Sequence, residues 1–249
     1  PEELQAPVIV AFLVACVAAM LCGAFNGILV SKFNIQPMIA TLILFTAGRS
    51  IAAWINNNEL PVISEESFGI YGGFIPGIPI PTPVFIMLIC VLLTALALKY
   101  TNLGLYTQAV GINASSSRLN GLNPAFIKFI SFVILGLCVA VVGLIKVSRL
   151  SSINYSVIAK DIEMDAILAV ALGGNSLSGG KFNMTASILG AYVIQFLTTT
   201  LYKFNVESAA LSAYKAVVVI ALVVFSAPAV RKKFADLTKK MKPQAKEAV

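Results

Sequence analysis

YTQAVGINASSSRLNGLNP, residues 106–124, is a polar island between two long apolar runs, and nothing else in the chain looks like it. Asn113 is placed to cap a short helix over 114–120, and Gly121 to take the left-handed position beyond it. Asn123 with Pro124 then opens the next helix. The spacing predicts a helix of one to two turns between two long ones, exposing Ser115, Ser116, Arg118 and Asn120 and offering Leu119 and Leu122 as apolar knobs. In a membrane protein this shape suits docking of a partner from the water phase. On local residues alone, a plain capped turn joining two helices explains it equally well.

Composition decides the solvent. The chain is 58% hydrophobic and 12% charged, with a mean hydropathy of +0.89, whereas an ordinary soluble domain carries roughly 25% charged residues. The expected fold is an all-α polytopic transmembrane helix bundle: one domain over residues 1–230 and a basic tail over 231–249. There is no histidine, which excludes imidazole metal sites and Ser-His or Cys-His catalysis. Cys16, Cys22, Cys90 and Cys138 lie inside apolar runs without Cys-x-x-Cys spacing and read as buried small hydrophobes. No catalytic residue, metal site or cofactor is therefore expected in this chain.

The net charge of +7 would suggest nucleic acid if it were spread over the chain. It is not. The tail alone, with seven Lys and Arg against Asp236 and Glu247, holds +5 of it. A basic tail directly after an apolar helix reads as cytoplasmic anchoring on anionic membrane lipid, and nucleic acid is not an expected partner.

Hydropathy gives about seven membrane-entering segments: 8–30, 37–55, 82–100, 124–147, 164–174, 184–202 and 208–227. The loop over 56–81 carries Glu59, Glu65 and Glu66 and no Lys or Arg, whereas Lys32, Lys99, Arg118 and the tail are basic. The island and the C-terminus are accordingly expected in the cytoplasm. Parity then requires 164–174 to cross with its neighbours as a tilted or broken helix beginning near Val157. Lys146, Arg149 and Lys160 run against the scheme, since they flank a loop it places outside.

Small residues recur on two helices, Ala15, Ala19, Gly23 and Gly27 on the first and Gly136, Ala140 and Gly143 on the fourth, as faces for close bundle packing. Tyr192, Gln195, Thr199 and Tyr202 follow i, i+3, i+7, i+10 spacing and share a helix face. That stripe is a candidate wall for a hydrophilic path, and interhelical hydrogen bonding would explain it as well. Arg49, Lys215 and Asp165 are charges within membrane segments. Structural pairing or snorkelling is the expected role of the two cations. The run Gly173-Gly174-Asn175-Ser176-Leu177-Ser178-Gly179-Gly180-Lys181 is no phosphate loop, because Phe182 stands where a magnesium-binding Ser or Thr belongs. Asn175 and Ser176 instead fit irregular backbone beside a water-accessible cavity, as candidates for the translocation path.

The segments AVGINASSSRLNGL (109–122) and EMDAILAVALGGNSLSGGK (163–181) resemble the permease subunits of bacterial ATP-binding-cassette importers for monosaccharides, the ribose, arabinose, galactofuranose and autoinducer-2 group. In the first, Gly111, Asn113, Arg118, Leu119 and Gly121 match the family pattern, and Ile112 stands where a second glycine is usual. In the second, Glu163, Asp165, Ala166, Ile167, Gly173, Gly174, Ser176, Leu177, Gly179 and Gly180 match. Phe25-Asn26-Gly27 and residues 36–49 are also similar to family stretches. Such permeases carry further N-terminal helices, which a chain beginning at Pro1 is expected to lack.

The resemblance implies a permease subunit of the bacterial plasma membrane that imports a sugar without catalytic residues of its own. It further implies a second permease beside it, cytoplasmic ATPase subunits that bind ATP and magnesium, and an extracytoplasmic sugar-binding protein. Gly111, Asn113, Arg118, Leu119 and Gly121 would then form the ATPase-coupling loop. An ion-coupled secondary transporter is the alternative; it needs a membrane carboxylate or histidine, and Asp165 is the one deep acid.

Overall fold

A computed structural model describes residues 8–204 except 63–65, 75–76, 78, 156, 177–178 and 181, together with 210, 213–214 and 216–217. Nine helices occur among them: α1 (Val8–Ser31), α2 (Pro37–Ile55), α3 (Glu66–Gly69), α4 (Thr82–Tyr100), α5 (Leu103–Ile112), α6 (Ala114–Leu119), α7 (Pro124–Leu150), α8 (Ile162–Leu172) and α9 (Met184–Lys203). No strand forms among the described residues, where β-pairing is confined to the isolated bridges Val62–Ser152 and Phe74–Pro81. The all-α expectation holds.

Five of these helices, α1, α2, α4, α7 and α9, are long and apolar enough to cross a membrane. Of the other two expected crossings, 208–227 lies almost wholly outside the described residues, as do Lys215 and the tail. The remaining one, 164–174, is the eleven-residue α8, about 16 Å long against a hydrocarbon core of about 30 Å. It does not extend back to Val157, because Ala159 and Asp161 take left-handed φ values of 53° and 63° and break the backbone there. Hydropathy alone does not register that break.

The chain divides into two compact units, Pro1–Lys160 and Asp161–Val249. In the first, α1 and α7 pack tightly along their small residues. A methyl group added at Gly23 would overlap the Phe132 carbonyl oxygen, and one at Gly136 the Ala19 carbonyl oxygen; at Gly27 it would lie 3.1 Å from the Phe129 carbonyl oxygen. The order of these contacts makes the pair antiparallel. Backbones thus meet directly, which is how helices associate where lipid offers no hydrophobic drive. Ala15 is exposed and Gly143 has no neighbour at its Cβ position, so neither belongs to the seam. Cys16 and Asn26 do, both 7% exposed, and the Asn26 Oδ1 has no hydrogen-bond partner.

Of the cysteines only Cys16 is buried; Cys90 is intermediate, and Cys22 and Cys138 are exposed. Their apolar neighbourhood in sequence is the outward face of the spans, not a core. The same holds for Ile9, Leu13, Val17, Leu21, Phe25 and Ile28 of α1, all exposed, and for α4, which has no buried residue. Helices apolar all round with their large side chains turned outward suit lipid as solvent.

At the far end of α7 the loop over 56–81 is tied down. Ser148 Oγ donates to the Phe68 carbonyl at 2.5 Å, the Ile153 N–H donates to the Pro61 carbonyl at 3.1 Å, and Gly72 lies against the Ser148–Arg149 backbone. The second unit contains the antiparallel hairpin of α8 and α9. A methyl group at Gly190 would strike the Ala169 carbonyl oxygen, and one at Gly173 would lie 2.5 Å from that of Ala186. Ala169 and Ile194 are buried between the two helices, with Leu168 and Leu172 packed against them.

Candidate functional site

The island folds as its capping residues dictate. Asn113 leaves α5 in extended geometry (φ −155°, ψ 103°), and its Oδ1 accepts the Ser116 N–H at 3.0 Å, satisfying an orphan donor at the start of α6. At the other end Gly121 has φ +80°. The Gly121 N–H donates to the Arg118 carbonyl and the Leu122 N–H to the Ser117 carbonyl, each at 3.1 Å, the paired closure of a Schellman ending. Asn123 Oδ1 then accepts the Phe126 N–H at 3.2 Å with Pro124 in the first helical position of α7. Six residues of helix are therefore fixed at both ends by side chain and backbone geometry.

This construction presents Leu119 to solvent at 91% exposure. Gly111, Ile112, Asn113, Ser115, Ser116, Arg118 and Gly121 are exposed as well, while Ser117 is 5% exposed, its hydroxyl donating to the Asn113 carbonyl at 2.9 Å. A leucine standing this free on a helix fixed at both ends is a preformed apolar contact. The helix α5 just before it is not part of the sequence expectation. Its signal is Thr101, whose Oγ1 accepts the Leu103 N–H at 3.4 Å, together with Gly104, which lets α5 fold back onto Leu98.

The island and the loop over 56–81 sit at opposite ends of α7, whose 27 residues span about 40 Å. Arg49 belongs to the loop end. Its guanidinium donates to the carbonyls of Tyr155 at 2.5 Å and Ile158 at 3.2 Å and lies 4.7 Å from the Phe45 ring centroid. It holds the 155–158 turn, the backbone pairing expected of a membrane cation.

In the second unit the stripe of Tyr192, Gln195, Thr199 and Tyr202 is exposed along α9. Gly190 and Ile194 mark the face packed on α8, and at 100° per residue the four stripe positions lie between about 80° and 160° from Ile194. The stripe thus lies off the face of α9 that packs on α8. Asn175 is committed locally: its Nδ2 donates to Ser187 Oγ at 2.8 Å and its Oδ1 accepts the Asn183 N–H at 2.6 Å, joining the end of α8 to the start of α9. Ser176 beside it is exposed. Asp165 sits in the first turn of α8 with Glu163, where the helix dipole favours negative charge.

Residues 2–227 match the family model described as the branched-chain amino acid transport system / permease component. The chain is 37% identical to the fructose import permease of Bifidobacterium longum, over 94% of this chain and 67% of that protein. It is 35% identical to the galactofuranose transporter permease of Escherichia coli, over 82% of this chain and 60% of that one. The ribose import permease of Escherichia coli is 37% identical, over 88% of this chain and 68% of its own length. The chain thus spans about two thirds of the length of these relatives. No solved structure matches it. All-helical over its described residues, with five span-length helices among them, and matched by this family over nearly its whole length, the chain belongs to the membrane permease family and is similar to its sugar-import permeases.

Proposed function

We propose that the chain is the transmembrane subunit of an ATP-driven importer of a monosaccharide of the pentose, hexose or galactofuranose class in the bacterial plasma membrane. Its partners are a second permease, cytoplasmic ATPase subunits that bind ATP and magnesium, and an extracytoplasmic sugar-binding protein. The observation that carries this reading is α6: a short helix capped by Asn113, closed by Gly121 and displaying Leu119 at 91% exposure, built to be gripped from the water phase. Relatives named for import of fructose, galactofuranose and ribose supply the cargo class.

In this reading Gly111, Asn113, Arg118, Leu119 and Gly121 form the coupling loop, the island and C-terminus face the cytoplasm, and the Glu59-bearing loop faces outside. Tyr192, Gln195, Thr199 and Tyr202, off the face of α9 that packs on α8, form one wall of the sugar path, with Ser176 and Asn175 at its end. The test is uptake of labelled sugar by the reconstituted chain with its ATPase and binding protein. Uptake should require internal ATP and survive collapse of ion gradients. Uptake that persists without ATP but stops with the gradient would establish an ion-coupled transporter instead.

A further inference from the structure

Lys32, at the exit of α1, Arg118 of α6 and Lys128 of α7 line one recess of about 370 Å³, together with Ser31, Asn34 and Ser115. Among the described residues no acid lines the recess, and residues 4–58 and 67–160, which supply all of its lining, contain no Asp or Glu. Of the acids that the structure describes in the first unit, Glu59 and Glu66 belong to the loop at the opposite end of α7 from the recess. Pro124 and Ala125, the first two residues of the 27-residue α7, also line it, so the positive end of that helix dipole adds to the three side-chain charges. Asn123 and Asn113 cannot offset this, because their Oδ1 atoms accept the Phe126 and Ser116 N–H groups. Three cations and a helix N-terminus thus line one concavity, with no acid among the described residues that line it.

We propose that this recess binds the phosphate of an anionic phospholipid headgroup. The depth fits: the recess lies at the ends of two membrane-length helices, α1 and α7, and Ile28, Phe33 and Phe126, within four residues of its lining along the chain, expose apolar side chains at 43%, 64% and 57%. A headgroup phosphate would rest among the cations while its acyl chains lie against those residues. Basic recesses at the membrane-water boundary between spans are suited to this chemistry. Leu119 is not among the lining residues, so filling the recess and gripping α6 through Leu119 use different side chains. The inference rests on the membrane reading of the chain but not on the identity of its cargo.

Both lysines are exposed, so K32Q and K128Q can be combined without loss of packing. The experiment compares the full chain and the double variant after reconstitution in phosphatidylcholine discs doped with phosphatidylglycerol, with retained lipid read by native mass spectrometry. At about a fivefold factor per lysine, the double variant should retain phosphatidylglycerol roughly 25-fold more weakly. K99Q, which removes a basic residue outside the recess, should match the parent chain. Inorganic phosphate is titrated in parallel into discs of phosphatidylcholine alone, read by thermal shift. A shift that depends on the same two lysines, without selective lipid retention, would assign the recess to free phosphate and overturn the headgroup assignment. Equal lipid retention by parent and double variant, with no lysine-dependent phosphate response, would overturn the site altogether. Sugar uptake measured on the same samples separates this failure from a failure of the transport reading.

Discussion

Truncating Leu119 to alanine removes three carbons that the isolated subunit leaves 91% exposed. Because those carbons fill nothing within the chain, no cavity forms and the stability of the subunit should stay within about 0.5 kcal/mol. In the proposed coupling role their whole burial comes from the ATPase. At about 0.8 kcal/mol per methylene-sized group, full burial in an ATPase cleft contributes about 2.4 kcal/mol, so Leu119→Ala should weaken ATPase association about 60-fold. Leu119→Asp adds the desolvation of a carboxylate and should weaken it further, whereas Arg118→Ala, removing a rim charge, should cost about 1 kcal/mol or less. The assay is titration of the ATPase onto the subunit in lipid discs, with sugar-stimulated ATP hydrolysis read on the same samples. An unchanged affinity and unchanged hydrolysis in Leu119→Asp, with the subunit folded, would refute the coupling role and leave α6 as a capped turn.

Gly136→Ala should destabilise the first unit by about 1–3 kcal/mol in thermal unfolding, since its methyl group meets the Ala19 carbonyl rather than a movable side chain, while Gly143→Ala, with open space around it, should not. Gln195→Leu should lower sugar uptake at unchanged subunit assembly, because the side chain lies off the α8 seam; parallel loss of both would make the stripe an interface with another helix. A cysteine at Glu59 should react with an impermeant thiol reagent from outside, and one at Ser116 only after permeabilisation. Both positions are exposed, so reversed labelling would invert the orientation.

What could be read in the sequence was what short range decides. Asn113, Gly121 and Asn123 set their own backbone, and the structure shows each of them in the expected capping role. The small faces of α1 and α7 were legible as types, but not which residues would meet: Gly23 and Gly136 do, and Ala15 and Gly143 do not. The length of α8 was hidden because Val157, Ile158 and Ala159 are apolar and the parity of crossings called for a longer segment, whereas left-handed backbone at Ala159 and Asp161 interrupts it. Asn175 was ambiguous in principle, since an amide beside glycines suits a wet cavity and a local clasp alike, and only the positions of Asn183 and Ser187 reveal the clasp. The recess of Lys32, Arg118 and Lys128 needs α1, α6 and α7 brought to one place, which spacing along the chain does not encode.

Gly136 is the thirteenth of the 27 residues of α7, close to its midpoint, and there the helix rests on the α1 backbone with no side chain in between. The same contact recurs at Phe132 and Phe129 against Gly23 and Gly27, so α7 is clamped to α1 along about two turns rather than at one point. A pull on the island through Asn123 would therefore move the two helices as one stiff bar, carrying with it the Ser148 end and the loop pinned there through Phe68. Because the clamp is backbone against backbone at Gly23 and Gly136, no rotamer is available there to absorb the motion.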